Sequence, residues 1–144
     1  MKEENMGEFN FKSSVCTSRE QSERLLAMGV KKETADMCWQ TTTLNGDPVT
    51  YPSQDVWLSD TVISDYHFPA WSLGRLIKDL MPQSIGHLEL AVGSDYAGYY
   101  EDRCNSEHGM HWEYVEETPD MFNNIISTIE WLIKEKYFPK KYLV

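Results

Sequence analysis

Neither Gly-x-Gly-x-x-Gly nor Gly-x4-Gly-Lys-Ser/Thr occurs among the eight glycines of this 144-residue chain. Such loops let backbone amides close around a polyphosphate, so a standard nucleotide-triphosphate enzyme is not expected. No Gly-x-Ser-x-Gly elbow presents a hydrolytic serine either. Basic residues are scarce: 13 Lys and Arg stand against 23 Asp and Glu, a net charge of −10. Nucleic acid and anionic membranes are held mainly by Lys and Arg neutralising phosphates, so neither is an expected partner.

Long apolar runs are also missing. Those present are a few residues, such as Leu90-Ala91-Val92, where a membrane-crossing helix needs about 20. The first residues, Met1-Lys2-Glu3-Glu4, are polar and acidic, unlike a secretory signal. Cys16, Cys38 and Cys104 are an odd number at spacings that fit no disulfide framework and no paired zinc motif. Reduced thiols and a cytoplasmic location are the expectation.

With 41% hydrophobic and 25% charged residues, a chain of this size buries roughly 70% of its unfolded surface in one core. The expectation is a single α+β domain over residues 1–144, with 1–16 as an extended arm on which Phe9 and Phe11 are spaced like a short strand. Thr17 with Glu20 and Ser18 with Gln21 form two overlapping capping boxes. A helix starts there and stops at Gly29. A short turn near Thr34 follows, and then a hairpin from Met37 to Tyr51 about Asn45-Gly46, its second strand ending at Pro52. A further strand is expected within 54–63.

Leu73, Leu76, Ile77 and Leu80 share one helical face that Pro82 ends. Three strands follow, starting near His87, Tyr96 and Met110, with Met110, Trp112 and Tyr114 directed to the core and His111 and Glu113 to the polar side. The last element is an amphipathic helix with Thr118 as cap, Pro119 in first position, a stripe from Phe122 to Ile133, and Lys134 and Lys136 in its last turn. An antiparallel hairpin and a three-stranded meander packed by about three helices result.

Two constellations could carry chemistry. Asp102, Cys104, His108 and His111 place a thiolate, two imidazoles and a carboxylate within ten residues, donors suited to a divalent ion or a metal-dependent hydrolase. Cysteine nucleophile chemistry there would need a lowered thiol pKa, which Arg103 favours and Asp102 and Glu107 oppose. Cys38, between Met37 and Trp39, reads as a packed apolar side chain. The second constellation is aromatic: Trp57, Tyr66 and His67 crowd the approach to the second helix, and Tyr96, Tyr99 and Tyr100 populate the sheet. Such rings can sandwich a planar ligand, with Arg75 or Arg103 meeting its phosphate. They also serve as core and rim packing.

Thr17 to Gly29 (TSREQSERLLAMG), Thr34-Ala35-Asp36-Met37, Pro69 to Leu73 with Leu76-Ile77, and Ile129 to Ile133 resemble a family of short uncharacterised proteins of gut-bacterial genomes, phages and mobile elements. The family carries no assigned activity, so the resemblance transfers no catalytic residue. It implies an accessory protein that acts by binding. The functional expectation is a non-enzymatic binder of a small polar ligand such as a signalling nucleotide, or of a host protein, with no cofactor and with apolar surface that permits a homodimer. The alternative is the metal-dependent hydrolase of the Cys104, His108 and His111 cluster.

Overall fold

The computed structural model describes residues 14–103 and 109–144, with side chains described at 14–101 and 111–144. Helix α1 (Arg19–Ala27) and a 3-10 turn (Lys32–Thr34) precede strands β1 (Met37–Leu44), β2 (Asp47–Gln54) and β3 (His67–Ala70). A π-helical segment (Arg75–Leu80) leads to β4 (Ser84–Ile85), β5 (Leu88–Gly93), β6 (Tyr96–Arg103) and β7 (Gly109–Glu116). Helix α2 (Met121–Lys134) and a last 3-10 turn (Lys140–Tyr142) complete the order. The strands form two antiparallel sheets, β2-β1-β3 and β4-β5-β6-β7, the α+β class that the sequence leads one to expect.

Of the two overlapping capping boxes, the chain uses the second: Ser18 accepts from the Gln21 amide while the Gln21 side chain accepts from the Ser18 amide. Thr17 is displaced from the capping role because it is fully buried. Its hydroxyl bonds Ser22 Oγ at 2.7 Å and accepts the Trp71 amide at 3.0 Å, and its carbonyl accepts Trp39 Nε1 at 2.8 Å. Gly29, at φ +97°, turns the chain out of α1 through a conformation that side chains disfavour.

The β1–β2 hairpin closes through Asn45 (φ 54°) and Gly46 (φ 86°), the positive pair that a primed two-residue turn requires. Strand β2 does not end at Pro52; it continues to Gln54, with Pro52 opposite Trp39. An edge strand accommodates this because the missing N–H can face away from the ladder. The strand expected within 54–63 is absent beyond Gln54. Residues 55–63 form a loop, in which the Thr61 side chain accepts the Leu58 amide and the Thr61 amide bonds the Leu58 carbonyl. β3 pairs with the other side of β1 instead.

The helix expected from Leu73 to Leu80 is present but widened, with the Met81 amide reaching back to the Leu76 carbonyl at 3.0 Å. In the second sheet Tyr99 opposes Tyr114, yet Tyr100 opposes Trp112, so Glu113 is an extra residue in a bulge. Neighbouring residues of a strand point to opposite faces. Trp112 and Tyr114 therefore do not share the core face, as unbroken alternation would have them. Tyr114 stacks on Trp131 of α2, while Trp112 meets Tyr96 and Tyr100 edge-on across the other face.

Helix α2 starts two residues later than expected because Asp120, not Thr118, accepts the Asn123 amide. Thr118 instead satisfies the buried Asn124, donating to its Oδ1 at 2.7 Å and accepting its Nδ2 on the Thr118 carbonyl at 2.8 Å. Phe122, Ile125, Ile126, Ile129 and Leu132 are buried, each contributing about 1.5 to 3 kcal/mol of apolar transfer energy. The helix ends at Lys134, and Lys136 lies beyond it at φ 65°.

Two outcomes test this packing. A Cβ at Gly98 would collide with the Tyr114 carbonyl oxygen and lie 2.8 Å from Val115 Cα, both backbone atoms of β7. Gly98→Ala is expected to cost about 2 to 4 kcal/mol in urea unfolding; a change below 1 kcal/mol, within the ordinary scatter of surface substitutions, contradicts the close approach. Burial, reinforced by the charge of Asp36, pushes the Cys16 thiol up from 9.0 to about 11. The unfolded thiol thus loses its proton first, and stability falls as pH rises from about 9 to about 11. Cys16→Ala is expected to flatten the slope of unfolding free energy against pH in this window; an unchanged slope contradicts the burial.

Candidate metal centre

Three donors from separate parts of the first sheet converge on one point. Cys38 on β1 lies opposite Ser53 on β2, and Gln40 two residues on lies opposite His67 on β3. Cross-strand partners and residues two apart share a face, so Cys38, Ser53 and His67 project from the same side. Asp55 follows directly after β2, its amide bonded to the Asp36 carbonyl at 3.4 Å. The Cys38 sulfur, an Asp55 oxygen and a His67 nitrogen all lie within 4.8 Å of one another.

Within this group His67 Nε2 meets Asp55 Oδ2 at 2.7 Å. Cys38 Sγ lies 3.7 Å from the same oxygen and 3.2 Å from Ser53 Oγ. Trp57 stacks on the His67 ring at 4.3 Å and 19°, and its Nε1 donates to the Met37 carbonyl at 3.1 Å. The ring of His67 is thereby held on one side by the indole and at its nitrogen by the carboxylate. Cys38 is fully buried, whereas the His67 and Asp55 side chains keep 28% and 33% exposure. A small ion can therefore reach the buried sulfur from the side of its two partners.

The electrostatics separate two kinds of chemistry. Burial first, with the Asp55 charge adding to it, raises the Cys38 thiol above its ordinary value, while Ser53 opposes the rise. A resting thiolate is disfavoured, which argues against a free cysteine nucleophile. The hydrogen bond from His67, helped by the Val56 amide, holds the Asp55 carboxyl below the usual range. A charged carboxylate, an imidazole and a buried thiol are a borderline-soft donor set of the kind zinc takes. A tetrahedral zinc site separates oxygen and nitrogen ligands by roughly 3.3 Å, so the Asp55 and His67 atoms would open by about half an ångström as the ion replaces the shared proton.

Next to the donors is a cavity of about 530 Å³, lined by Glu33, Asp36, Asp55, Trp57 and Arg75 among others. Most of its charged groups are already engaged. Glu33 pairs with Lys32 at 3.4 Å, and Asp36 accepts the Ser72 amide at 2.9 Å and hydroxyl at 2.5 Å. Arg75 Nη1 pairs with Asp79 at 3.2 Å. Arg75 Nε is shielded from solvent and has no hydrogen-bond partner among the described residues.

The residues singled out from sequence are distributed unevenly about this point. Trp57, His67 and Arg75 come together at the cavity and its donor group, and Tyr66 lies exposed beside His67. Tyr96, Tyr99 and Tyr100 belong to the second sheet, where Tyr99 is core and bonds the Pro82 carbonyl at 2.6 Å. His111 is an exposed residue of β7. Cys104 and His108 lie outside the described residues, as do the side chains of Asp102 and Arg103. Cys38 and Asp55 were invisible as partners in the sequence, since 17 and 12 residues separate Cys38, Asp55 and His67 in no metal-binding pattern. Only the pairing of β1 with both neighbours assembles them.

No family model matches the chain, and neither a curated protein nor a solved structure matches it.

The buried, high-pKa state of both described thiols has a direct readout. In a Cys104→Ser background at pH 7.5, iodoacetamide is expected to label neither Cys16 nor Cys38 until denaturant is added, as read by intact mass. Rapid native labelling of Cys38 would contradict its burial and the disfavoured thiolate.

Proposed function

We propose that the protein binds one divalent transition-metal ion, zinc by donor chemistry, through Cys38, Asp55 and His67. The observation that carries this reading is the convergence of the three donor atoms within 4.8 Å, from β1, the end of β2 and β3. The fixing of the donors supports it as well. Register places Cys38, stacking on Trp57 orients His67, and the Val56 amide, donating to Asp55 Oδ1 at 2.8 Å, leaves Oδ2 for the ion. Three protein ligands leave a tetrahedral ion one open position, the arrangement of ions that exchange a small ligand. The protein acts by binding, and the metal is part of the binding surface.

Metal-free protein titrated with zinc chloride is expected to take up one ion per chain. At about 100 times the dissociation constant the ion adds roughly 2.7 kcal/mol, on the order of 5 to 10 °C in melting temperature. His67→Gln and Asp55→Asn, both at partly exposed positions, are each expected to weaken binding on the order of 100-fold while the folded circular dichroism spectrum persists. Absence of binding overturns the reading. Binding that survives His67→Gln and is lost in His108→Gln would place the ion in the 102–111 stretch instead.

A further inference from the structure

We infer that the Ser53 hydroxyl donates a hydrogen bond to the Cys38 sulfur and is the positioning residue that holds Cys38 as a buried thiolate ligand of the ion. The inference rests on the metal reading and deepens it, since it names a residue outside the three donors on which the sulfur's coordination depends. Strand register supplies the placement. Cys38 on β1 lies opposite Ser53 on β2, and the two side chains project from one side of the sheet with Sγ and Oγ 3.2 Å apart. Ser53 is half-buried beside a fully buried sulfur. Among the described residues this is the one side-chain hydrogen bond that its hydroxyl makes.

Counting protons fixes the direction of that bond. The thiol has a single proton, and Cys38 Sγ directs it to Asp55 Oδ2 at 3.7 Å, a carboxylate oxygen with no proton to return. Ser53, with a proton of its own, is left to donate to the sulfur. When the ion takes the place of the thiol proton, the sulfur is an acceptor only, and the Ser53 bond carries over with no change of direction. It also becomes charge-assisted, roughly twice as strong as a neutral bond. A fully buried anionic sulfur beside the Asp55 carboxylate is costly unless its charge is met. The ion offsets part of that cost, and the hydroxyl takes up charge that the ion leaves on the sulfur. In the metal-free protein Ser53 already opposes the rise that burial, and then Asp55, give the thiol. The Gln40 side chain, whose Oε1 accepts the Tyr51 hydroxyl at 3.1 Å, acts on the thiol in the same sense.

Cobalt(II) reads the sulfur directly. In the full chain carrying Cys104→Ser, cobalt uptake is expected to give a sulfur-to-metal charge-transfer band that Cys38→Ser abolishes. A hydrogen bond lowers the energy of the sulfur lone pairs, so Ser53→Ala in the same background is expected to move the band to longer wavelength. The same variant is expected to raise the cobalt dissociation constant about tenfold, the size of effect that loss of a group supporting a metal ligand has. Ser53→Thr keeps the hydroxyl on a β-branched side chain that a strand accepts, and is expected to return the band to its original position. The circular dichroism of both metal-free Ser53 variants is expected to be unchanged, since the residue is half-buried on the edge strand β2. A band that stays in place in Ser53→Ala, or that moves there and is not returned by Ser53→Thr, overturns the inference while the metal reading stands. A band that never forms, or that survives Cys38→Ser, overturns the metal reading, and this one with it.

Discussion

Thr17 is the contact through which the separate pieces of this fold are held in one arrangement. It is fully buried, and its amide, carbonyl and hydroxyl all find partners: the Trp71 carbonyl at 2.9 Å, Trp39 Nε1, and both Ser22 Oγ and the Trp71 amide. One residue thereby ties the entry of α1 to β1 and to the exit of β3. Trp71 extends the junction, donating from its own Nε1 to Thr34 Oγ1 at 2.9 Å. In a low-dielectric interior such a network is stabilising only when every member is satisfied, which fixes the relative placement of these elements more sharply than apolar contact alone. The first sheet, and therefore the register of Cys38 with Ser53 and of Gln40 with His67, is built on that junction.

The second half of the molecule is organised by a different force. Helix α2 lays its isoleucine stripe on β6 and β7, and the aromatic stack of Tyr99, Trp131 and Tyr114 fills the space between helix and sheet. Polar groups buried with it, Asn124 and Thr128, are satisfied within the helix and by Thr118. Buried residues of both halves join in one apolar cluster, and the first sheet contributes the convergent donors.

Much of the first part of this plan is legible in the sequence, because local signals decide it. Ser18 and Gln21, Gly29, Asn45-Gly46 and the α2 stripe each act over a few residues, and each appears where expected. What is not legible depends on competition or on distance. Thr17 and Thr118 have the chemistry of caps, but tertiary partners claim their hydroxyls. The single bulged residue at Glu113 inverts the facing of Trp112, and nothing in the alternation announces it. The donor group is the clearest case. Cys38 reads as an apolar filler from its neighbours, and it is indeed fully buried; only strand pairing reveals what it is buried against. Of the aromatic and cationic residues, Trp57 and Arg75 line one cavity and His67 stacks on Trp57, but the tyrosines of the second sheet belong elsewhere.

The stacking of Trp57 on His67 at 4.3 Å gives the molecule a built-in optical gauge. Imidazolium accepts an electron from excited indole far more readily than neutral imidazole does, so the emission of this one tryptophan follows whatever charge the ring beneath it carries. The other four tryptophans, at 39, 71, 112 and 131, make no ring contact with a histidine among the described residues. Fluorescence thus watches the heart of the first sheet without a label.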